Sequence, residues 1–443
     1  MPKLRLPHPL VLLLACVLVA ATVTRVLPAG QYDRRDDPAT GRSVVVAGTY
    51  HAVEPAPVGA FAAFVAVPRG IVAAAEVVAL VLLVGGAWTV VDKAGTLARM
   101  VEWLTRRFAR RRYLVVVITS LAFALGGALE NMQEEIIPLV PVLLVLALGL
   151  GYDVLTVAAM SVGAAMVGSA FSPLNPFQAG IALKLAELPL LSGAGQRTGL
   201  LVVALALWIW WTLRYAARNS SPPAGLGAAP PSEPLGRRHL VILLLVLAPF
   251  VAYVVGVLRW QWGFNELSAA FLLAGIAIGL VGRLGMAGTI GAYIEGMGSV
   301  VGAAVLIGVA RSISLVLEDG RVIDTILHAL VTPLAGAPRS LAAILMVPVQ
   351  AAIHIPVPSV SGQAALTMPV LVPLSDLLGV SRDATVLAYQ TGAGLTELWT
   401  PTNGALMAIL LAAGVPYGKW IRFAAPAVVL LTIVGVVGVL LAL

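Results

Sequence analysis

The chain has 443 residues, of which 60% are hydrophobic and only 11% charged, whereas soluble domains carry roughly a quarter charged residues. Its mean hydropathy of +0.97 and the long apolar stretches along its length exclude a soluble globular domain, and the alternation of an outer-membrane barrel is missing; the fold class predicted is an all-α polytopic membrane protein. The net charge of +7 sits in loops between apolar runs, so it reads as positive-inside topology and not as a nucleic-acid surface.

In chain order, Lys3 and Arg5 place the N-terminus in the cytoplasm, ahead of a first span over residues 8–27. The single cysteine, Cys16, excludes an intrachain disulfide. Leu13-Leu14-Ala15-Cys16 faintly resembles a lipoprotein cleavage site, but the run is long enough to stay as an uncleaved helix. A polar loop over 28–68, with Asp33, Arg34, Arg35, Asp36 and Asp37, is expected outside. Span two, 71–91, returns to the stretch 93–112, whose Arg99, Arg106, Arg107, Arg110, Arg111 and Arg112 are the strongest cytoplasmic marker.

Next comes an unusual segment that the chain carries twice. Its first copy runs Glu130-Asn131-Met132-Gln133-Glu134-Glu135, passes Pro138, Pro141 and Gly151-Tyr152-Asp153, and ends at Ser172-Pro173-Leu174-Asn175-Pro176-Phe177. The second runs Ser359-Val360-Ser361-Gly362-Gln363, passes Pro369, Pro373, Gly379 and Ser381-Arg382-Asp383, and ends at Thr400-Pro401-Thr402-Asn403-Gly404. Each reads as an apolar hairpin with a polar tip (113–150 and 340–379) followed by a broken helix (154–188 and 383–412). Polar groups and helix breakers at membrane depth are costly unless they line a cavity, and a repeated pair of broken segments marks a secondary transporter's site. Two readings of the first hairpin compete: two full spans with an acidic loop outside, or a re-entrant hairpin that returns to the cytoplasm. Only the second keeps the later positive loops inside.

Between the copies, span 198–216 ends at Arg214 and Arg218, beside a Pro/Gly/Ala/Ser linker over 220–236. Span 240–258 runs out to Trp260 and Trp262. Span 266–282 returns to Arg283, residues 284–297 are expected along the interface, and span 298–317 leads out to Glu318. A last span, 423–441, ends outside. The layout implies an inverted-topology repeat, with residues 1–218 and 263–443 as its halves and 219–262 as linker and connecting helix.

A broken helix frees backbone N–H and C=O groups at its interruption. One site is expected to combine Glu130, Asn131, Gln133, Glu134 and Glu135 with Ser172, Asn175 and Gln178. The other combines His354, Ser359, Ser361, Gly362 and Gln363 with Thr396, Glu397, Thr400, Thr402 and Asn403. Asn175 and Asn403, at equivalent positions, rank first for substrate, with Gln133, Glu134, Glu135, Ser361, Gly362, Gln363, Thr400 and Thr402. Glu130, Glu397, Ser172, Asn131 and Thr396 are candidates for ion coupling, and His354 for a proton relay. Against this stands the plainer reading of Asn beside Pro as a turn residue, of the prolines as kinks, and of a lone His as a structural hydrogen bonder. No Lys or Arg falls within either cluster, which favours a cationic substrate, Na+ or H+ over a lone dianion. Glu76 and Asp376 read as structural or gating, and Arg311 as the partner of Glu318 or Glu295.

The residues 127–153 with Asn175-Pro176-Phe177, and Ser361-Gly362-Gln363-Ala364-Ala365-Leu366-Thr367-Met368-Pro369 with Pro401-Thr402-Asn403-Gly404, resemble the YfcC-like branch of the anaerobic C4-dicarboxylate carrier family, within a large ion-transporter superfamily. Val26-Leu27-Pro28-Ala29-Gly30-Gln31-Tyr32 also fits. The resemblance implies a secondary carrier with paired re-entrant hairpins, no cofactor, Na+ or H+ as coupling ion or exchange, and by analogy a homodimer in the bilayer. Its name implies C4-dicarboxylates, while the branch is labelled for basic amino-acid antiport. Ser-Pro-Leu-Asn-Pro and Thr-Pro-Thr-Asn-Gly, where dicarboxylate carriers of the wider group have paired Ser-Asn-Thr clusters, move the expectation towards amino acids, with dicarboxylates next. A channel and an intramembrane enzyme are the rivals from other classes, but no nucleophile elbow or metal-ligand motif is visible.

Overall fold

The computed structural model describes residues 8–97, 99–100, 103, 111–221, 236–260 and 262–443. Lys3, Arg5, Arg106, Arg107, Arg110 and linker residues 222–235, used above for topology, lie outside them. Helices α1 (Pro9–Val26), α2 (Ala60–Ala73) and α3 (Ala75–Lys93) form one group with α10 (Arg237–Trp260), α11 (Phe264–Val281) and α12 (Gly285–Asp319). Small residues set its packing. A Cβ on Gly70 would lie 2.3 Å from the Gly308 carbonyl oxygen, and one on Gly296 would lie 2.5 Å from that of Gly85, so α2 and α3 run tightly antiparallel to α12.

Two expectations are corrected here. Residues 284–297 do not lie along the interface; they are the first turns of α12, about 50 Å long at 1.5 Å per residue. The loop expected over 28–68 holds two small antiparallel pairs, β1 (Gly30–Gln31) with β4 (His51–Ala52) and β2 (Arg34–Asp37) with β3 (Arg42–Val45), and gives way to helix at Ala60. Span two is thus bent at Ala74, where α2 meets α3. Arg311 pairs with Glu318 at 3.6 Å, and Glu295 is taken instead by Lys93 at 3.0 Å.

The other group holds the repeated segments. Hairpin 1 is α4 (Tyr113–Glu130), a 3-10 turn (Glu134–Leu139) and α5 (Val140–Gly149). Broken helix 1 is α6 (Val154–Ala158), a π-turn (Ala159–Gly163) and α7 (Ala164–Ala170), then, after the break, a π-turn (Pro176–Gly180) and α8 (Ile181–Leu185). Helix α9 (Ala194–Asn219) and α13 (Ile323–Val331) follow. Hairpin 2 is α14 (Arg339–His354) with α15 (Val360–Leu378); broken helix 2 is α16 (Arg382–Thr396) with α17 (Gly404–Ala412); α18 (Tyr417–Leu441) closes the chain.

The two halves are placed head to tail. Asp153, which caps α6 by accepting from Thr156 N at 3.0 Å, also binds Lys419 Nζ at 2.9 Å just past broken helix 2. Asp383, at the start of broken helix 2, binds Ser192 Oγ at 2.7 Å and Arg197 at 3.3 Å just past broken helix 1. The broken helices are therefore antiparallel. The same holds of α9 and α18, tied by Gln196 Nε2 to Gly438 O at 2.7 Å and Trp211 Nε1 to Phe423 O at 3.0 Å. In the other group α11 runs parallel to α3, with Gly275 against Ala87 and Gly282 against Ala94, while α1 meets α12 at their C-terminal ends through Thr24 and Gly320. So α1 matches α11, and α2–α3 match α12, with reversed directions.

Candidate functional site

Helix α4 ends because Asn131 takes a left-handed conformation, φ 58°, and Pro138 prevents a regular restart, leaving the 3-10 turn that carries Glu134 and Glu135. The tip is pressed onto broken helix 1: a Cβ on Gly127 would meet the Ala165 carbonyl oxygen, and one on Gly168 that of Ala124, both within 2.1 Å. Only glycine permits this approach.

The polar side chains of the first break, Ser172, Asn175 and Gln178, are fully buried. Ser172 Oγ donates to Ala128 O at 2.5 Å and accepts from Asn175 N at 2.9 Å. Asn175 Oδ1 accepts from the N–H groups of Phe177 and Gln178, both at 2.9 Å, capping the second half-helix. Its Nδ2 donates to Gly127 O at 2.9 Å and to Ser169 Oγ at 3.1 Å, and Asn131 Oδ1 accepts from the Ser169 hydroxyl. Gln178 Oε1 accepts from Ser169 as well, and Gln390 Nε2 on α16 donates to Ser172 O at 2.9 Å, locking the two broken helices together.

The second break is built alike but presents Glu397, Thr402 and Asn403 to a cavity. Asn403 Oδ1 accepts from Leu406 N at 3.0 Å, capping α17, while Thr400 and Thr402 share a hydroxyl hydrogen bond at 2.7 Å and Thr396 bonds back to Gly392 O. Asn403 Nδ2 donates to Gln133 Oε1 at 3.1 Å, and Gln133 Nε2 donates to Glu397 Oε2 at 2.7 Å. Gln133 thus bridges the two key groups of the second break from the tip of the first hairpin. From hairpin 2, the buried His354 brings Nε2 to 3.8 Å from Glu397 Oε1 and pairs Nδ1 with Gln363 Oε1 at 2.7 Å. Gln363 Nε2 continues the chain to Gln350 Oε1 at 2.6 Å, and Gln350 Nε2 reaches Thr367 Oγ1 at 3.0 Å. Ser359 Oγ caps α15 through Gly362 N at 3.2 Å.

The sequence reading paired each tip with the break of its own half. The structure crosses the halves: Asn131 reaches break one, Gln133 reaches break two, and one polar centre results. A cavity of about 940 Å3 opens onto it. Glu130, Asn131, Gln133, Glu134 and Glu135 line it from tip one; Ser359, Ser361 and Gly362 from tip two; Glu397, Thr402 and Asn403 from break two. Asn175, Ser172, Gln178, Thr396, Thr400, His354 and Gln363 stand behind that lining.

Sequence reasoning missed the far wall. Arg34 and Arg42 of the β2–β3 pair, Arg311 of α12, Arg321 and Asp324 line the same cavity, as does Tyr253 of α10. The acid-rich centre is therefore faced by guanidinium groups that arrive from distant parts of the chain. The turn sequence Asp37-Pro38-Ala39-Thr40-Gly41 between two short polar runs signals a hairpin, but nothing local says where it docks. Glu76 accepts from Asn265 at 3.1 Å and Asp376 pairs with Arg382 at 2.8 Å, both away from the centre.

Residues 6–443 match the family described as C4-dicarboxylate anaerobic carrier, DcuC. YfcC of Escherichia coli (strain K12), named as a candidate basic amino acid antiporter, is 32% identical over 391 residues, 83% of this chain and 77% of that protein. An uncharacterized protein of Haemophilus influenzae is 28% identical over 410 residues, 89% of this chain and 80% of its own. Among solved structures, the chain is similar to the YdaH transporter of Alcanivorax borkumensis, at a TM-score of 0.44 and 19% identity over 98% of both chains. It is also similar to MtrF of Neisseria gonorrhoeae, at 0.42 and 18% over 98% and 95%.

Proposed function

The chain belongs to the C4-dicarboxylate anaerobic carrier family, and from that premise we propose that it moves a small amino acid or organic acid across a bacterial inner membrane by alternating access. Membership makes it a multi-pass membrane transporter of a small molecule and not an enzyme. The substrate proposed first is a basic amino acid, with a C4-dicarboxylate second. The family description points to the dicarboxylate and the name of the YfcC relative to the basic amino acid; of the six carboxylates lining the cavity, the four of the polar centre, Glu130, Glu134, Glu135 and Glu397, favour the cationic choice. Na+ or H+ drives transport, or a second substrate is exchanged.

The observation that carries the reading is Gln133. It ties hairpin 1 to both Glu397 and Asn403 at the floor of the cavity, halfway along broken helix 2. The base of hairpin 1, at Asp153, lies at the far end of that helix beside Lys419. A tip at mid-depth and both ends on one side favour a re-entrant hairpin over two full spans. The proposal includes the division into residues 1–218, 219–262 and 263–443, a cytoplasmic N-terminus, and a cavity that opens outside. Glu397 and Glu130 are the proposed coupling carboxylates, with His354 behind Glu397.

Uptake of labelled arginine, aspartate and succinate into proteoliposomes, with and without Na+ and pH gradients, tests it. Saturable arginine uptake that is lost in Asn403→Ala and Gln133→Ala is expected. Flux that rises linearly with concentration and is not exchanged for internal substrate overturns the carrier mechanism in favour of a channel.

A further inference from the structure

The β2–β3 pair is fixed to the second hairpin. Tyr32 and Val45 are buried in one core with Leu366 and Leu371 of α15. Asp324 of α13 accepts from Tyr32 N at 3.0 Å and binds Arg34 through both oxygens, at 2.9 and 3.0 Å. The Tyr50 ring stacks on His328 at 4.1 Å with 5° between planes. These anchors hold Arg42, the first residue of β3, half-buried in the cavity wall beside the tip of hairpin 2.

The other guanidinium groups of the wall are engaged: Arg34 by Asp324, Arg311 by Glu318, and Arg321 by the Glu54 carbonyl at 3.4 Å. Among the described residues, Arg42 is the one of these four whose side chain makes no hydrogen bond or ion pair. Its neighbour across the strands, Asp37, turns instead to Thr40, whose N and Oγ1 donate to Asp37 Oδ2 at 2.9 and 2.6 Å. A half-buried guanidinium offers five donors in a fixed fork and no acceptor, and with no protein partner those donors are open to the cavity; a carboxylate matches that geometry.

We propose that Arg42 receives the carboxylate of the transported substrate while Gln133, Glu397 and Asn403 hold its ammonium end, so that the substrate class is a zwitterionic amino acid bridging the two walls. This rests on the transporter reading above and deepens it. It also resolves how an acid-lined site accepts an organic acid: the cation comes from the loop between α1 and α2, and not from either repeated segment.

The test is proteoliposome uptake of arginine, argininamide and succinate by the wild type, Arg42→Gln and Arg42→Lys. Wild type is expected to favour arginine over argininamide by roughly 10- to 100-fold in KM, the range of a charge-assisted pair. R42Q is expected to raise the arginine KM to that of the amide while leaving the amide unchanged, with partial recovery in R42K. Arginine uptake with an acid-to-amide ratio unaltered by R42Q overturns this inference alone. Succinate uptake in place of arginine, lost in R42Q, keeps the carboxylate pole and overturns the ammonium pole. Uptake of none of the three by a monodisperse wild type overturns both substrates named in the parent reading, and this inference with them.

Discussion

At the first break Asn175 spends its side chain inward: its oxygen caps a half-helix, its nitrogen serves Gly127 O and Ser169 Oγ, and none of it lines the cavity. At the second break Asn403 caps a half-helix in the same way, but its nitrogen reaches across to Gln133 and it lines the cavity. One residue type at one position of a duplicated segment thus serves a sealed joint in one half and an open floor in the other. The capping role is what the duplication shares. Access is what distinguishes the copies, and in an inverted repeat that asymmetry is expected of any single end state, since the two breaks are approached from opposite faces.

The comparison breaks most sharply at Gln133. Replacing it with Ala removes the donor to Glu397 and the acceptor for Asn403 together, leaving a buried carboxylate without its hydrogen bond. Loss of a partner to a buried charged group costs about 1.5–3 kcal/mol, so substrate kcat/KM measured in proteoliposomes should fall by roughly 10- to 100-fold or more. Thermal stability in detergent should fall by no more than that free energy, because the tip remains held by Asn131 and by the Gly127–Ala165 and Ala124–Gly168 contacts. If Q133A transports normally, the second break is as structural as the first.

Next in size is the contrast between the asparagines themselves. Asn175→Ala deletes a cap and strands buried groups at Gly127 and Ser169, so it should destabilise the folded protein by about 2–4 kcal/mol. The measurement is a Tm in detergent, with uptake normalised to folded protein. Asn403→Ala loses a cap and one cavity-facing bond; its cost should be nearer 1–2 kcal/mol and should appear mainly as a raised substrate KM. A larger Tm loss in Asn175→Ala beside a larger KM effect in Asn403→Ala would sharpen the contrast, while equal effects on both readouts would erase it.

Much of this was legible in the chain because the signals are local. Pro141, Gly151 and Asp153, with Gly379 and Ser381 in the second copy, fix turns and caps within a few residues, and apolar runs fix the spans. The polar residues at each tip and break stand out against lipid-facing sequence. What could not be read was which tip meets which break, since Gln133 and Asn403 lie 270 residues apart and no periodicity encodes a contact between halves. The bend at Ala74 also escaped: with Pro68 inside α2 the apolar run reads as continuous, and only packing against Gly308 of α12 sets its angle. Arg42 escaped for a third reason. Its loop looks like solvated surface, and burial of Val45 against Leu366, not charge pattern, brings it to the cavity.

The smallest expected effect concerns the two latches that set the broken helices antiparallel. Asp153 lies at one end, where burial pushes its carboxyl up but hydrogen bonds from Lys419, Tyr215 and Thr156 outweigh this and hold it below the usual carboxylate range. A carboxyl depressed by folding contributes stability that is complete above its unfolded pKa and is lost as pH falls through the folded one. Tm in detergent should therefore drop as pH is lowered below about 4, and Lys419→Met should shrink that drop. Because Lys419 is half exposed, the change near neutral pH should stay below about 1 kcal/mol. At the other latch the roles invert: Arg197 is buried and Asp383 is the more exposed member, so Arg197→Met removes a buried charge together with the donors to the Ser192 carbonyl and Asp383, and should cost more than Lys419→Met. A larger loss at Lys419 would mean that the end beside hairpin 1, and not the end beside hairpin 2, is the one that holds the two broken helices in register.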